Sequence, residues 1–328
     1  MSTNKTFRKN SGSILFILSL ILTLALAGCG TAPQKTTPEK NAGTGTASTQ
    51  QTTYPLTLKD NSGTEVTIPA EPKRIVSFVP SSTETLFALG LEGKVVAVTK
   101  YDDYPQGVQQ KVEYVFEDSL HPNTEQILKL NPDLIILGMH DEKTITAIRN
   151  LKIPVVVFNP QNLDSTYQTI EKLGQVTNKP EQAKKIVSAM KEKEQNIAQK
   201  VATVKEADRL NVFVEVDPNL FTPGAGTFLD QLVTKAGGIN IAHDVTGWAQ
   251  YRSEQVISKN PQVIFDTYSY YQKNAKEEIL SRQGWQNIEA VKNQRVIDLD
   301  SDMLTRPGPR ITDGLESIAK ALYPDLFK

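Results

Sequence analysis

The side chains equipped for catalysis are few and scattered. His121, His140 and His243 stand far apart with no metal-ligand spacing, and neither a His-Glu-x-x-His stretch nor a Gly-x-Ser-x-Gly elbow occurs. The only cysteine, Cys29, lies near the start, which excludes disulfides, thiol catalysis and cysteine metal sites from the folded part. A hydrolase using Asp102, Asp103 or Asp302 has nothing specific in its favour, so no enzyme, resident metal or cofactor is expected. Binding is better supplied. Tyr101-Asp102-Asp103-Tyr104, Phe221, Trp248-Ala249-Gln250-Tyr251 and Asp302-Met303-Leu304-Thr305-Arg306 fall in segments that follow apolar, strand-like runs. Aromatic faces with a few charges suit a large, partly polar organic ligand. The same aromatics would also serve as packing between lobes, and Asp302 with Arg306, four residues apart, as a surface ion pair.

Two further acids stand out because their surroundings repeat. Thr124-Glu125-Gln126-Ile127 leads through a short amphipathic stretch to Asn131-Pro132 and the apolar run Leu134–Leu137; Ser253-Glu254-Gln255-Val256 leads likewise to Asn260-Pro261 and Val263–Phe265. Each copy reads as a capped helix, a break and a buried strand, with Thr124 and Ser253 as the caps. The separation is far wider than the period of a stacked repeat array, so the copies imply two similar lobes. Glu125 and Glu254 then occupy equivalent places. A first-turn carboxylate is also stabilised by the free N–H groups of a helix start, which is reason enough for either one alone.

The elements that must position these residues begin after two segments of different character. Residues 1–29 run from a basic start at Lys5, Arg8 and Lys9 through the apolar stretch Ile14 to Ala27 to Leu26-Ala27-Gly28-Cys29, a signal peptide that ends in a lipobox-like sequence with Cys29 as the acylated residue. Residues 30–53 are Thr, Ala, Gly, Gln, Ser and Lys with almost no large apolar side chain, which predicts a disordered tether of roughly 27 Å root-mean-square span. The expected location is the outer face of a cell membrane, held there by lipid.

Of 328 residues, 39% are hydrophobic and 22% charged, and 36 basic against 37 acidic side chains leave a net charge of −1. That balance argues against nucleic acid and against adsorption to anionic lipid. Strands alternate with helices along residues 54–179 and again along 206–328: a hairpin around Asp60-Asn61-Ser62-Gly63, strands near Ile75, Val95, Leu134 and Val155, then Leu210–Val216, Ile239–Ala242, the second repeat and Val296–Leu299. This is an α/β pattern of two doubly wound, Rossmann-like lobes. Residues 180–205 join them as one long helix with Pro180 in its first turn and Ala183, Ile186, Val187, Met190, Ile197, Val201 and Val204 on one face. A single helical joint predicts modest lobe motion.

Several stretches together resemble the substrate-binding proteins of ABC importers for cobalamin, haem and iron-siderophores: Lys73-Arg74-Ile75-Val76-Ser77 through Thr83-Glu84, Tyr101 to Pro105, Asn123-Thr124-Glu125 with Asn131-Pro132-Asp133, Gly226-Thr227-Phe228 with Gly237-Gly238, Trp248 to Glu254, and Arg306-Pro307-Gly308-Pro309-Arg310. The resemblance runs from about residue 56 to the C-terminus and is greatest to the vitamin B12-binding proteins. It implies a ligand in the interlobe cleft, contacts from Tyr101, Tyr104, Phe221, Trp248, Asp302 and Arg306, and docking of Glu125 and Glu254 on arginines of the permease. Any metal would enter only inside the transported chelate. Where the B12 group has two further tryptophans in the first lobe, this chain has Ser119 and Gly138.

Because Cys29 is the only attachment point for acyl chains, Cys29→Ser is expected to release a soluble protein that keeps its ligand affinity. Washed membranes that retain the variant as fully as the parent would refute the lipid anchor.

Overall fold

The computed structural model describes residues 51–328. Cys29 and the assignments made for residues 1–50 lie outside the described residues. Thr52, assigned by sequence to the tether, is already docked: its N–H donates to Asn178 Oδ1 at 2.8 Å and its hydroxyl to the Gln175 carbonyl at 2.8 Å. The strands Leu56–Lys59 and Glu65–Ile68 then form the expected antiparallel hairpin. Its turn is held by Asp60, which accepts from Ser62 N–H and Thr64 N–H and pairs with Arg149 at 2.7 Å.

Each lobe is an open parallel sheet wound in both directions from its first strand. In the first lobe the order is Tyr114–Phe116, Val95–Thr99, Ile75–Ser77, Leu134–Leu137, Val155–Val157. In the second it is Ile239–Asn240, Asn211–Glu215, Val263–Asp266, Val296–Asp298. The central strands are buried on both faces, as sheets covered by helices on each side require. The two-lobe α/β reading of the sequence therefore holds.

The repeat is structural in detail. Helices Thr124–Lys129 and Ser253–Lys259 carry the same sequence of buried and exposed positions, and Asn131 and Asn260 both adopt left-handed backbone, at φ 47° and 44°. Asparagine tolerates this region because its short polar side chain bonds locally. The residue after each proline then reaches the start of the neighbouring strand: Asp133 accepts from Lys73 N–H and Arg74 N–H, and Gln262 from Asn211 N–H at 2.9 Å. The caps differ from expectation. Asn123, not Thr124, accepts from the first free N–H groups, and Ser253 instead accepts a 2.6 Å hydrogen bond from the indole N–H of Trp285. Thr124 and Ser253 are the first helical residues.

The connecting helix spans Pro180–Val201, ending short of the predicted residue 205, and buries Ala183, Val187, Met190, Ile197 and Val201. These side chains belong to a single apolar cluster that also takes in Ile75, Leu134 and Leu173 of the first lobe and Val212, Phe265 and Leu322 of the second. The opposite face of each sheet has its own smaller cluster. The lobes thus share one core through the helix. Among the elements that escaped the sequence reading are the edge strand Tyr114–Phe116, the ribbon of Phe221–Pro223 against Trp248–Gln250, and the helices Ala275–Ser281, Glu289–Lys292 and Ser301–Thr305.

Close approach of the connecting helix to Leu163–Val176 depends on Gly174, where an added Cβ would lie 2.4 Å from Ala183 Cβ and 2.9 Å from the Lys179 carbonyl oxygen. Alanine normally favours a helix interior over glycine by about 1 kcal/mol. Here Gly174→Ala is expected to destabilise the protein by about 1–3 kcal/mol, because the overlap is with backbone and a packed methyl group. An unchanged or raised denaturation midpoint would contradict this contact.

Candidate functional site

Parallel strands end on the same side of each sheet, and loops there face the gap between the lobes. The gap holds a cavity of about 690 Å³. Lys100, Tyr101 and Asp103 follow the strand Val95–Thr99; Thr267, Ser269, Tyr270 and Lys273 follow Val263–Asp266; and residues 299–302, Thr305 and Arg306 follow Val296–Asp298. A second hollow lined by Glu117, Asp118, Ser119 and Leu120 shares Lys100 and Tyr101 with the first.

Each loop is braced from below. Buried Asp102 accepts from Thr99 N–H at 2.8 Å and Thr99 Oγ1–H at 2.6 Å, closing a turn that leaves the Tyr101 ring in solvent. Burial raises the Asp102 carboxyl above its ordinary range against the lowering effect of these bonds. In the second lobe Glu215, fully buried at the end of its strand, accepts two 2.7 Å bonds from Arg282 and one of 2.6 Å from the Tyr268 hydroxyl. The Tyr268 ring contacts Tyr271, which meets Tyr270 edge to face at 4.8 Å. Tyr270 and Tyr271 remain 70% and 53% exposed, large apolar faces with no core to cover them. Sequence reasoning passed over this pair; the legible signal was the run Tyr268-Ser269-Tyr270-Tyr271 immediately after an apolar strand.

The candidate residues are only partly brought together. Tyr101, Asp302 and Arg306 line the cavity. Tyr104 turns away, stacking at 3.9 Å on the Arg310 guanidinium in a separate 410 Å³ hollow with Phe87, Pro105 and Pro309. Phe221 and Trp248 sit on the two-stranded ribbon, where Phe221 opposes Gln250 and Trp248 opposes Pro223, so both rings share a face and both are exposed. Tyr251 is buried in the second lobe, its hydroxyl donating to the Ile241 carbonyl. Among the described residues no group of three or more His, Cys, Asp or Glu side chains is placed to hold a metal ion. No helix there is long and apolar enough to cross a membrane.

Arg306 lines the cavity and is held by carboxylates of both lobes, so it is more than a surface pair with Asp302. Its side chain, 15% exposed, lies 2.8 Å from Asp302, 2.5 Å from Asp103 and 3.6 Å from Glu84, and donates to the Tyr101 carbonyl at 3.1 Å. Asp103 and Glu84 belong to the other lobe. Asp302 stays above the ordinary carboxylate range because burial and the charges of Asp103 and Asp300 outweigh Arg306. For Asp103 burial acts in the same upward sense, but the hydrogen bonds and charge of Arg306 prevail and hold it below that range.

Glu125 and Glu254, each in the first turn of its helix, are exposed, and no hydrogen bond or ion pair engages their side chains among the described residues. Three residues on from each stands an exposed apolar side chain, Leu128 at 51% and Ile257 at 36%. One turn of helix thus presents an acid and a hydrophobe together in each lobe.

Residues 75–303 match the periplasmic binding protein family. The chain is 37% identical over 319 residues to an uncharacterized ABC transporter substrate-binding lipoprotein of Bacillus subtilis, YvrC, with 94% of this chain and 96% of that one covered. Among solved structures it resembles a possible iron-binding, periplasmic solute-binding protein of Staphylococcus epidermidis, with a TM-score of 0.67, 32% identity, and coverage of 77% of this chain and 100% of that one. It is also similar to the periplasmic vitamin B12-binding protein BtuF of Vibrio cholerae, with a TM-score of 0.66, 28% identity, and coverage of 78% and 98%.

Proposed function

The chain belongs to the periplasmic binding protein family as the substrate-binding protein of an ABC transporter, not an enzyme, and from that premise we propose that it captures cobalamin or a related corrinoid between its lobes and hands it to the permease of an importer. The observation that carries the reading is the set of exposed rings: Tyr101 from one lobe and Tyr270 from the other line the cavity, and Tyr271, Phe221 and Trp248 add further exposed rings on the second lobe. Flat apolar faces set among Lys100, Lys273, Asp298 and Asp300 suit a broad macrocycle fringed with polar groups. Likeness to a vitamin B12-binding protein supports the same ligand. Gly138 is buried and closely packed, so that even a Cβ would lie 2.9 Å from Val79 Cγ2, and in this reading Tyr101 supplies the aromatic contact of the first lobe. The protein works outside the cytoplasm, anchored through Cys29 by lipid.

A ferric siderophore or haem is the second reading, favoured by the likeness to a possible iron-binding protein. Titration separates the three. Trp248 is 57% exposed and Trp285 fully buried, so a ligand in the cleft is expected to quench Trp248 fluorescence selectively. Cyanocobalamin should bind, and Trp248→Ala should weaken it by about 1–3 kcal/mol, the scale of a lost aromatic contact, with the fold intact. Binding of haem or a ferric siderophore with no response to cyanocobalamin would replace the corrinoid reading with the second.

Delivery uses the two repeated helices. Glu125 and Glu254, each beside an exposed apolar side chain, form a matched pair of docking points for basic residues of the permease. As helix-start residues alone, their replacement by Gln would cost at most about 1 kcal/mol each in stability and leave transport intact. As docking points they sit across an interface where losing a charge pair can cost about 2–5 kcal/mol of association. The double variant Glu125→Gln, Glu254→Gln is expected to bind ligand normally yet fail to stimulate transport or permease ATPase activity. Normal transport by that variant would sink the docking role.

A further inference from the structure

The segment Arg306-Pro307-Gly308-Pro309-Arg310 of the second lobe lies against the first at the boundary between the two interlobe hollows, with Arg306 lining one and Arg310 the other. Glu84 meets both. It accepts from Arg310 Nε at 2.8 Å and from Arg310 Nη2 at 2.6 Å, and its Oε1 lies 3.6 Å from Arg306 Nη1. The Glu84 side chain is 2% exposed, and those of Arg306 and Arg310 are 15% and 17% exposed. Between the arginines, Gly308 rests on the helix Pro80–Ala88 so closely that a Cβ would lie 3.0 Å from the Ser81 carbonyl oxygen. A bidentate guanidinium–carboxylate pair fixes direction as well as distance. Two such groups on one rigid, proline-flanked loop fix an orientation between bodies.

We propose that Glu84, Arg306 and Arg310 are positioning residues that latch the lobes at one separation and thereby set the width of the ligand cleft. The aromatic walls then face each other at a spacing fixed before ligand arrives, and affinity for a rigid macrocycle depends on a contact that never touches it. This rests on the interlobe cavity being the ligand site, while the latch itself is measurable without any ligand.

The test uses the full chain carrying Cys29→Ser, which removes the only native thiol. In its first arm, spin labels at Lys129→Cys and Lys292→Cys, exposed positions on opposite lobes, report the interlobe distance. The parent should give one narrow distribution and Glu84→Gln a distribution at least twice as wide. Asp103→Asn, which withdraws only the exposed partner of Arg306, should widen it less and guards against misfolding of the first variant. In the second arm, without the spin labels, cyanocobalamin affinity is measured where all variants are folded. Glu84→Gln should lose about tenfold or more. An engineered disulfide from Ser81→Cys and Gly308→Cys, whose Cβ atoms would lie 3.3 Å apart, a few tenths of an ångström inside the usual range, should restore affinity when oxidised and lose it again when reduced. Distributions as narrow as the parent's in both Glu84→Gln and Asp103→Asn would overturn the latch. So would an affinity loss that the oxidised cross-link leaves untouched. If the parent itself ignores cyanocobalamin, the corrinoid reading falls and the distance arm alone decides the latch.

Discussion

A guanidinium withdrawn from water is stable only opposite carboxylates that accept its N–H groups; Arg310 finds its partner on the other lobe, and Arg306 two of its three. Such pairs are weak evidence of net stability, because desolvation consumes most of the attraction, yet breaking one strands a buried charge at a cost of about 3–5 kcal/mol. What a buried pair supplies is geometry. Glu84 accepts two nearly parallel bonds from Arg310 while Arg306 gathers Asp103 and Asp302, so the approach of the lobes has few alternatives of similar energy. Pro307 and Pro309 restrict the loop that carries both arginines, and Gly308 permits its backbone contact with Ser81.

The shared core works in the same direction at longer range. Connecting helices that merely cross a gap leave their lobes free to swing, whereas Pro180–Val201 lies inside an apolar cluster drawn from both sheets. Bending it would expose Val187, Met190 or Ile197 to water. Around the cleft the division of labour is between buried charge and exposed ring: Asp102 with Thr99, and Glu215 with Arg282 and Tyr268, hold loops whose tips carry Tyr101, Tyr270 and Tyr271. Rings held in this way lose little further freedom on contact with a ligand.

Most of the scaffold could be read from sequence because it rests on local, periodic signals. Apolar runs long enough to be covered on both faces identified the parallel strands, the 3.6-residue stripe identified the connecting helix, and the paired Asn-Pro breaks identified the two lobes. The misses are non-local. Tyr114–Phe116 is a three-residue edge strand that runs from exposed Tyr114 to buried Phe116, too short to show a pattern. Ser253 resembles a cap in sequence, but Trp285, buried from a distant segment, claims its hydroxyl. Arg306 and Asp302 could be paired from their spacing, yet nothing local signals that Glu84 and Asp103, more than 200 residues earlier, complete the set. Tyr104 and Tyr101 lie within one short motif and face different hollows, because the turn closed by Asp102 separates them.

The same rigidity bears on the two repeated acids. Glu125 and Glu254 stand on equivalent helices, each followed by an interior strand of its own sheet, so their separation is set by how the sheets are held relative to one another. A pair of docking points can engage a partner simultaneously only if that separation matches the spacing of the partner's sites, and the second contact is then effectively intramolecular. Lobe rotation large enough to widen the cleft would also change the distance between the acids. Whatever fixes the cleft therefore also fixes the spacing of the two acids, and the arginines between the hollows, with the helix through the common core, constrain both.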